Sequence, residues 1–298
     1  MLDPQSLNEM LDWLSGMLGT DYGTAQARPS GAGCINETYE LYGRNLDSVF
    51  VKVGGLDQHD MYRKEVAGLQ LLQQGTAIRV PFVFGFARLS RCSVLALEFI
   101  ELSAIRSQHE ARFGKSLAQL HAITASGFGL DQNNYIGRTH QINEWQKDWW
   151  SFFIGCRLLP QRKLAQAKGM RSALLQDLDR LLERIPLQLG GYQPQPSLLH
   201  GDLWSGNMAV DESGKPVLFD PAVYYGDAET DLAMSRMFGA PGAAFYDAYH
   251  TLLPQRDGHE LRRGVYDLYH WLNHFNLFGV GYLGQVEHTL AALLYELS

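Results

Sequence analysis

The sequence predicts an α+β fold of two unequal lobes, a small β-rich one over residues 1–103 and a larger, mainly helical one over 104–298. Three observations predict it. Strand-like segments crowd the first hundred residues around one long helix. After about residue 104, apolar residues recur at helical spacing instead. The main exception is a hairpin-like stretch between His200 and Asp220.

The elements follow in order. Leu7, Met10, Leu11, Leu14, Met17 and Leu18 give helical periodicity over 6–18. Residues 26–53 read as strands joined by turns, among them Thr38-Tyr39-Glu40-Leu41-Tyr42 and Val49-Phe50-Val51-Lys52-Val53 on either side of Gly43-Arg44-Asn45. A helix is expected over 58–74. Strands follow near 82–88 and 92–99, with Ser90-Arg91 at the turn and 100–103 as connector. The second lobe should carry helices near 107–123, 143–159, 171–184, 229–238, 243–252, 259–276 and 282–296.

Bulk properties exclude several classes. The chain has 298 residues, 46% of them apolar, and a net charge of −7. That balance argues against a partner of nucleic acid or an anionic membrane surface. No uncharged apolar run reaches the ~18 residues of a membrane-spanning helix. The N-terminus has neither a basic region nor a secretory pattern, so a cytoplasmic protein is expected. Cys34, Cys92 and Cys156 are far apart and form no Cys-x-x-Cys pair, so neither a disulfide framework nor a zinc site is indicated.

The chemistry concentrates in His200-Gly201-Asp202-Leu203-Trp204-Ser205-Gly206-Asn207. Met208-Ala209-Val210 and Pro216-Val217-Leu218-Phe219 flank the turn-rich 211–215, so a hairpin returns Asp220 beside that loop. Phosphoryl transfer from ATP needs one carboxylate to orient or deprotonate a hydroxyl. It also needs an amide oxygen and a second carboxylate to hold magnesium on the phosphates. Asp202, Asn207 and Asp220 are the candidates, in that order. The plain alternative is a surface loop with a capping Asp and Asn. The full spacing makes that alternative the weaker one.

Upstream, Ser30-Gly31-Ala32-Gly33-Cys34-Ile35-Asn36 places Gly31 and Gly33 where backbone must approach phosphate. A lone Gly-x-Gly also suits an ordinary turn. Lys52 sits inside an apolar strand, where lysine needs a partner. Glu65, thirteen residues on, supplies one, and the pair would hold the α- and β-phosphates. Lys64 is expected to face another side of that helix. Backbone groups around Glu98, Phe99 and Ile100 are candidates for adenine.

These motifs resemble the fructosamine kinase (ketosamine-3-kinase) family, related to aminoglycoside and choline kinases, across nearly the whole chain. The most specific run is HGDLWSGN, then FDPAVYYG, then ETDLAMSRMFG, within His200–Phe238. Asn143–Phe153 with Arg157, Leu158 and Gln161 is a second match, and Gly31–Asn36 with Tyr39 and Leu41 a third. The resemblance implies a bilobal protein-kinase-like fold with ATP and Mg²⁺ as cofactors. It implies Asp202 as base, Asn207 and Asp220 as metal ligands, and phosphorylation of a ketosamine 3-hydroxyl, with repair of glycated amines. In the family a cysteine at the Cys34 position is associated with disulfide-linked dimers, so either a monomer or a redox-sensitive homodimer is expected. Many members carry His and Arg after Tyr-Tyr-Gly; Asp227 and Ala228 stand here, with an expected effect on acceptor choice. Ala32 replaces a glycine common in the loop.

For the acceptor, Trp204 is the candidate sugar-facing ring, while Trp145, Trp149 and Trp150 suit helical core packing better. Asp148 is a candidate for the substrate's cationic amine, beside the plainer reading of a solvated helix-face carboxylate. Glu229 is a further candidate, although Glu229 and Asp231 also suit a helix N-terminus. Asp231 is positioned to brace the His200 loop. His200 itself should pack rather than transfer protons, and His121 and His270 read as ordinary helix residues. An aminoglycoside- or choline-type kinase of the same fold, and a nucleotide-binding pseudokinase, are the alternatives.

Overall fold

A computed structural model describes residues 3–30, 37–74 and 78–298. Gly31, Gly33 and Cys34 therefore lie outside the described residues. The chain opens with helix α1 (Pro4–Leu18), started by an Asp3 cap that accepts from the amides of Gln5 and Ser6. Five antiparallel strands follow: β1 (Gln26–Pro29), β2 (Glu37–Gly43), β3 (Leu46–Gly54), β4 (Val83–Arg88) and β5 (Ser93–Glu98). Their spatial order is β1-β2-β3-β5-β4. Helix α2 (His59–Leu72) crosses between β3 and β4 in sequence.

The rest is mostly helical: α3 (Ser107–His121), α4 (Trp149–Phe153), α5 (Leu159–Ala167), α6 (Ser172–Leu189), α7 (Glu229–Met237), α8 (Ala243–His250), α9 (His259–Phe278) and α10 (Leu283–Glu296). Three two-stranded ribbons interrupt it. They are β6 (Asn134–Ile136) with β7 (Thr139–Gln141), β8 (Ser197–Leu199) with β11 (Tyr224–Gly226), and β9 (Met208–Val210) with β10 (Pro216–Leu218).

The expected helix over 143–159 is not continuous. Residues 143–148 are irregular, Asp148 caps α4, and a wider π turn at Ile154–Leu158 leads into α5. Trp149, Trp150, Phe152 and Phe153 are all fully buried, while Ser151 and Gly155 face solvent. The core-packing reading holds for Trp149 and Trp150, whose indole N–H groups donate to Tyr266 Oη and Leu189 O.

Three apolar clusters hold the molecule. One lies between α1 and the outer face of the sheet (Met10, Leu14, Leu41, Val49, Val51). One fills the helical lobe around Trp149, Leu181, Tyr266 and Leu290. The third joins Tyr62 and Leu69 of α2 and Leu95 of β5 to Leu117, Leu203, Leu218 and Phe245. The sheet and the helical part thus share a continuous core beneath the cleft, which fixes α2 against the His200 loop.

Candidate active site

The cleft between sheet and helices has a volume of about 520 Å³, within the range of small-molecule sites. Its upper wall carries Thr38, Phe50, Lys52, Met61, Lys64, Glu65, Leu97, Glu98, Ile100 and Leu102. Its floor carries Asp202, Trp204, Asn207, Phe219 and Asp220.

Lys52 joins the two walls. Its Nζ donates to Glu65 Oε1 at 2.6 Å and to Asp220 Oδ1 at 2.5 Å. Burial pulls the ammonium down, but the Asp220 and Glu65 carboxylates more than offset it, holding Lys52 above the ordinary lysine range. Burial raises Glu65 against the opposing charge of Lys52. Lys64 was expected on another side of α2 and instead lines the cleft. Met61, Lys64 and Glu65 stand at i, i+3 and i+4 and share a face.

On the floor, Gly201 turns the chain at φ 83°, and a Cβ there would meet Ala222 O at 2.1 Å. Asp231 braces the turn: its carboxylate accepts from His200 N at 2.7 Å and Gly201 N at 2.9 Å. His121 completes that brace. Its Nε2 lies 3.2 Å from Asp231 Oδ2 and its Nδ1 2.8 Å from Tyr249 Oη. It is therefore not an ordinary helix residue, and nothing in its sequence surroundings marks it. Burial would raise Asp231, but the hydrogen bond and charge of His121 hold it below the usual carboxylate range. His200 donates from Nε2 to Phe219 O and accepts at Nδ1 from Asp202 N, which needs a neutral ring. Its burial lowers its pKa in the same sense.

Burial, with the Asp220 charge added, pushes Asp202 up to about 7. Asn207 Nδ2 donates to Asp202 O at 2.9 Å and to Asp202 Oδ2 at 3.2 Å. The amide nitrogen is thereby committed and its oxygen is left as the donor atom for a cation. Asp220 is held at φ 56°, one of two positive-φ non-glycine residues among those described. Such a conformation persists only where surrounding structure imposes it. Asn207 and Asp220 offer hard oxygen ligands suited to Mg²⁺ shared with phosphates. Among the described residues no three His, Cys, Asp or Glu gather into a metal site of their own.

Other candidates lie elsewhere. Asp148 accepts from Ser151 N at 2.7 Å as the cap of α4 and does not line the cleft. Glu229 forms a bidentate pair with Arg262, both bonds 2.7 Å, and also lies off the cleft. In the structure the first carboxylate caps a helix and the second pairs with an arginine. Asp227 is buried beneath Tyr266, so the departure at 227–228 does not touch the cleft either. Of the adenine candidates, Glu98 and Ile100 line the cleft while Phe99 does not. Glu98 also pairs with Arg79.

A lysine held between carboxylates of opposite walls, above a loop of this build, is the arrangement of a phosphotransferase with the protein-kinase-like fold. APH(2")-IIa, solved in a ternary complex with streptomycin and ATP, covers 98% of this chain at TM-score 0.63 and 14% identity, which shows the shared fold. The model of the fructosamine kinase family matches residues 6–296, and the chain belongs to that family. It is therefore a kinase, and the family makes ATP its phosphoryl donor. It is 39% identical over 284 residues to a "Probable ketoamine kinase" of Synechocystis sp., covering 94% of each chain. It is 40% identical over 255 residues to the chloroplastic protein-ribulosamine 3-kinase of Arabidopsis thaliana, covering 85% of this chain and 77% of that one. The crystal structure named "Putative fructosamine-3-kinase" from Haemophilus somnus superposes at TM-score 0.87 with 27% identity over 97% of both chains. No described helix is long and apolar enough to cross a membrane.

Proposed function

We propose that this kinase transfers the γ-phosphoryl group of Mg·ATP to the 3-hydroxyl of a ketosamine, a fructosamine or ribulosamine on a free or protein-bound amine. The observation that carries the reading is the meeting of Lys52, Glu65, Asp202, Asn207 and Asp220 in one cleft. The names of the relatives support the acceptor class.

In this reading residues 1–103 form the lobe over the nucleotide and 104–298 the lobe that carries the chemistry. Backbone groups from Glu98 to Ile100 hold adenine against Phe50, Leu97 and Leu102. Lys52 holds the α- and β-phosphates. Asn207 and Asp220 are the residues that would hold Mg²⁺, which would supply positive charge against the phosphates. Asp202 accepts the proton of the attacking hydroxyl at Oδ1, since Oδ2 is held by Asn207. A carboxyl raised to about 7 is a stronger base once ionised than an ordinary aspartate. Trp204 flanks the floor and presents a ring for a sugar face. Gly31, Gly33 and Cys34 complete the reading as the phosphate cover; non-reducing gels of wild type and Cys34→Ser after mild peroxide test for a Cys34-linked dimer.

ADP release with Mg·ATP, compared across ribulosyl-lysine, fructosyl-lysine, kanamycin and choline, tests the function. Turnover on the ketosamines alone is expected. Turnover only on kanamycin or choline would overturn the acceptor class.

A further inference from the structure

The β6–β7 hairpin lies outside every motif above, yet it touches both walls of the cleft. Toward α2, Tyr135 Oη donates to Asp60 Oδ2 at 3.0 Å, and Gln132 Oε1 accepts from Lys64 Nζ at 2.9 Å. Toward the floor, Asn134 Nδ2 donates to Val223 O at 2.8 Å and Gln141 Nε2 to Ala222 O at 3.0 Å. Asp60 and Lys64 sit on the helix that carries Glu65. Ala222 and Val223 follow Asp220 by two and three residues. Both partners of Lys52 are thus tied to one hairpin.

The ties are themselves locked. Asn134 Oδ1 accepts from Gln141 Nε2 at 2.9 Å and from Asn143 Nδ2 at 2.8 Å. Asn143 Oδ1 accepts from Arg157 Nη2 at 2.8 Å, and Gln141 Oε1 accepts from Tyr269 Oη at 3.1 Å. Asn134, Gln141, Asn143 and Arg157 are each at most 4% exposed. Buried amides cost free energy unless every group is paired, and apolar side chains would fill this space with less risk. A polar network here is accounted for if its hydrogen bonds aim something. Ala222 carries the aim along the floor to the catalytic loop, because its N–H donates to His200 O at 2.8 Å. Gly68 adds direct contact: a Cβ on that α2 residue would reach Val223 at 3.3 Å and Pro221 at 3.4 Å.

We infer that the β6–β7 hairpin is a two-sided clamp in which Gln141 and Tyr135 are positioning residues. Gln141 and Asn134 fix the main chain just after Asp220, and Tyr135 fixes the helix carrying Glu65. The two carboxylates that grip Lys52 are then held at one separation before nucleotide arrives. Reorganisation that would otherwise accompany binding is avoided, and Mg·ATP binds more tightly. The inference rests on the reading that this cleft takes Mg·ATP.

Gln141→Met keeps the volume and removes both N–H donors; Tyr135→Phe removes one hydroxyl and keeps the ring. Mg·ATP affinity is measured without acceptor, alongside the melting temperature without nucleotide and the acceptor KM. Tyr135→Phe should weaken Mg·ATP binding about three- to tenfold, the scale of one lost hydrogen bond, and Gln141→Met at least as much, since it loses the bonds with Ala222, Asn134 and Tyr269. Acceptor KM should stay within about twofold. The double variant should lose less than the product of the two, because both act on one Lys52 geometry. Unchanged Mg·ATP affinity in folded Tyr135→Phe would overturn the clamp even if Gln141→Met fails to fold. So would a loss shared equally by nucleotide and acceptor. Wild-type protein that binds no Mg·ATP would instead overturn the reading of the cleft, and the clamp with it.

Discussion

Asp202 and Asp227 stand at opposite ends of the β8–β11 region, and burial with a neighbouring carboxylate pushes each up to about 7. Their surroundings then diverge. Asp202 opens on the main cleft, with Asn207 holding one oxygen and Asp220 and Lys52 nearby. Asp227 lines a smaller cavity of about 190 Å³ behind α7, and both its oxygens are engaged. Oδ2 accepts from Tyr266 Oη at 2.6 Å and Oδ1 from Glu229 N at 3.1 Å. A raised carboxyl therefore reports desolvation, and only its open oxygens and the groups facing it decide whether it does chemistry.

Replacing each acid tests that contrast most severely. Asp202→Asn should lower kcat by about 10³-fold, the scale of a lost general base, while Mg·ATP affinity changes little. Asp227→Asn should leave kcat within about threefold, measured by the same ADP-release assay, since no reacting atom lies near it. A large loss in Asp227→Asn at full folding would break the comparison.

Asp220→Asn removes a charge that serves both Lys52 and the cation. Nucleotide titration at varied free Mg²⁺ should show Mg·ATP binding weakened at least about tenfold, with the Mg²⁺ requirement raised. Glu65→Gln should weaken it less, since Asp220 still holds the lysine.

pH sharpens the same contrast at smaller scale. Asp202 must be ionised to accept a proton, so kcat/KM for the acceptor should fall on the acid side, with its inflection at or below about 7. The cation bound with ATP would relieve the Asp220 contribution and move the inflection lower in both kcat and kcat/KM. Asp227 acts on stability instead. Its folded-state pKa lies above the unfolded value, so the folded protein binds the extra proton between about 4 and 7 and loses stability as pH rises through that window. Asp227→Asn should flatten that slope in thermal melts from pH 5 to 8, with Asp202 still contributing.

What the sequence made legible follows from range. Lys52 and Glu65 were readable because a lysine inside an apolar strand needs an acid, and the next helix offered one. The β9–β10 hairpin was readable from the turn residues between two apolar triplets. A β-rich part followed by a helical one was readable from the switch between strand and helix periodicity, and the resemblance implied the protein-kinase-like fold. The β6–β7 clamp was not readable. Its strands have three residues each, too few for alternation to register, and Gln132-Asn133-Asn134 has the composition of a loop. Its hydrogen bonds to Ala222 and Val223 span 81 and 89 residues, and only the folded chain brings them together. His121 escaped for the same reason, since its partner Asp231 is 110 residues away. The cap made by Asp148 was not readable either, because a capping acid and a substrate-binding acid look alike before the helix start is known.

The most direct test of the central claim is acceptor-dependent ADP release from Mg·ATP with ribulosyl-lysine, run on wild type and Asp202→Asn in parallel with nucleotide titration of both. Robust turnover is expected in wild type, with about a 10³-fold loss in the variant and nearly equal Mg·ATP affinity in the two. Comparable turnover in Asp202→Asn would contradict that claim.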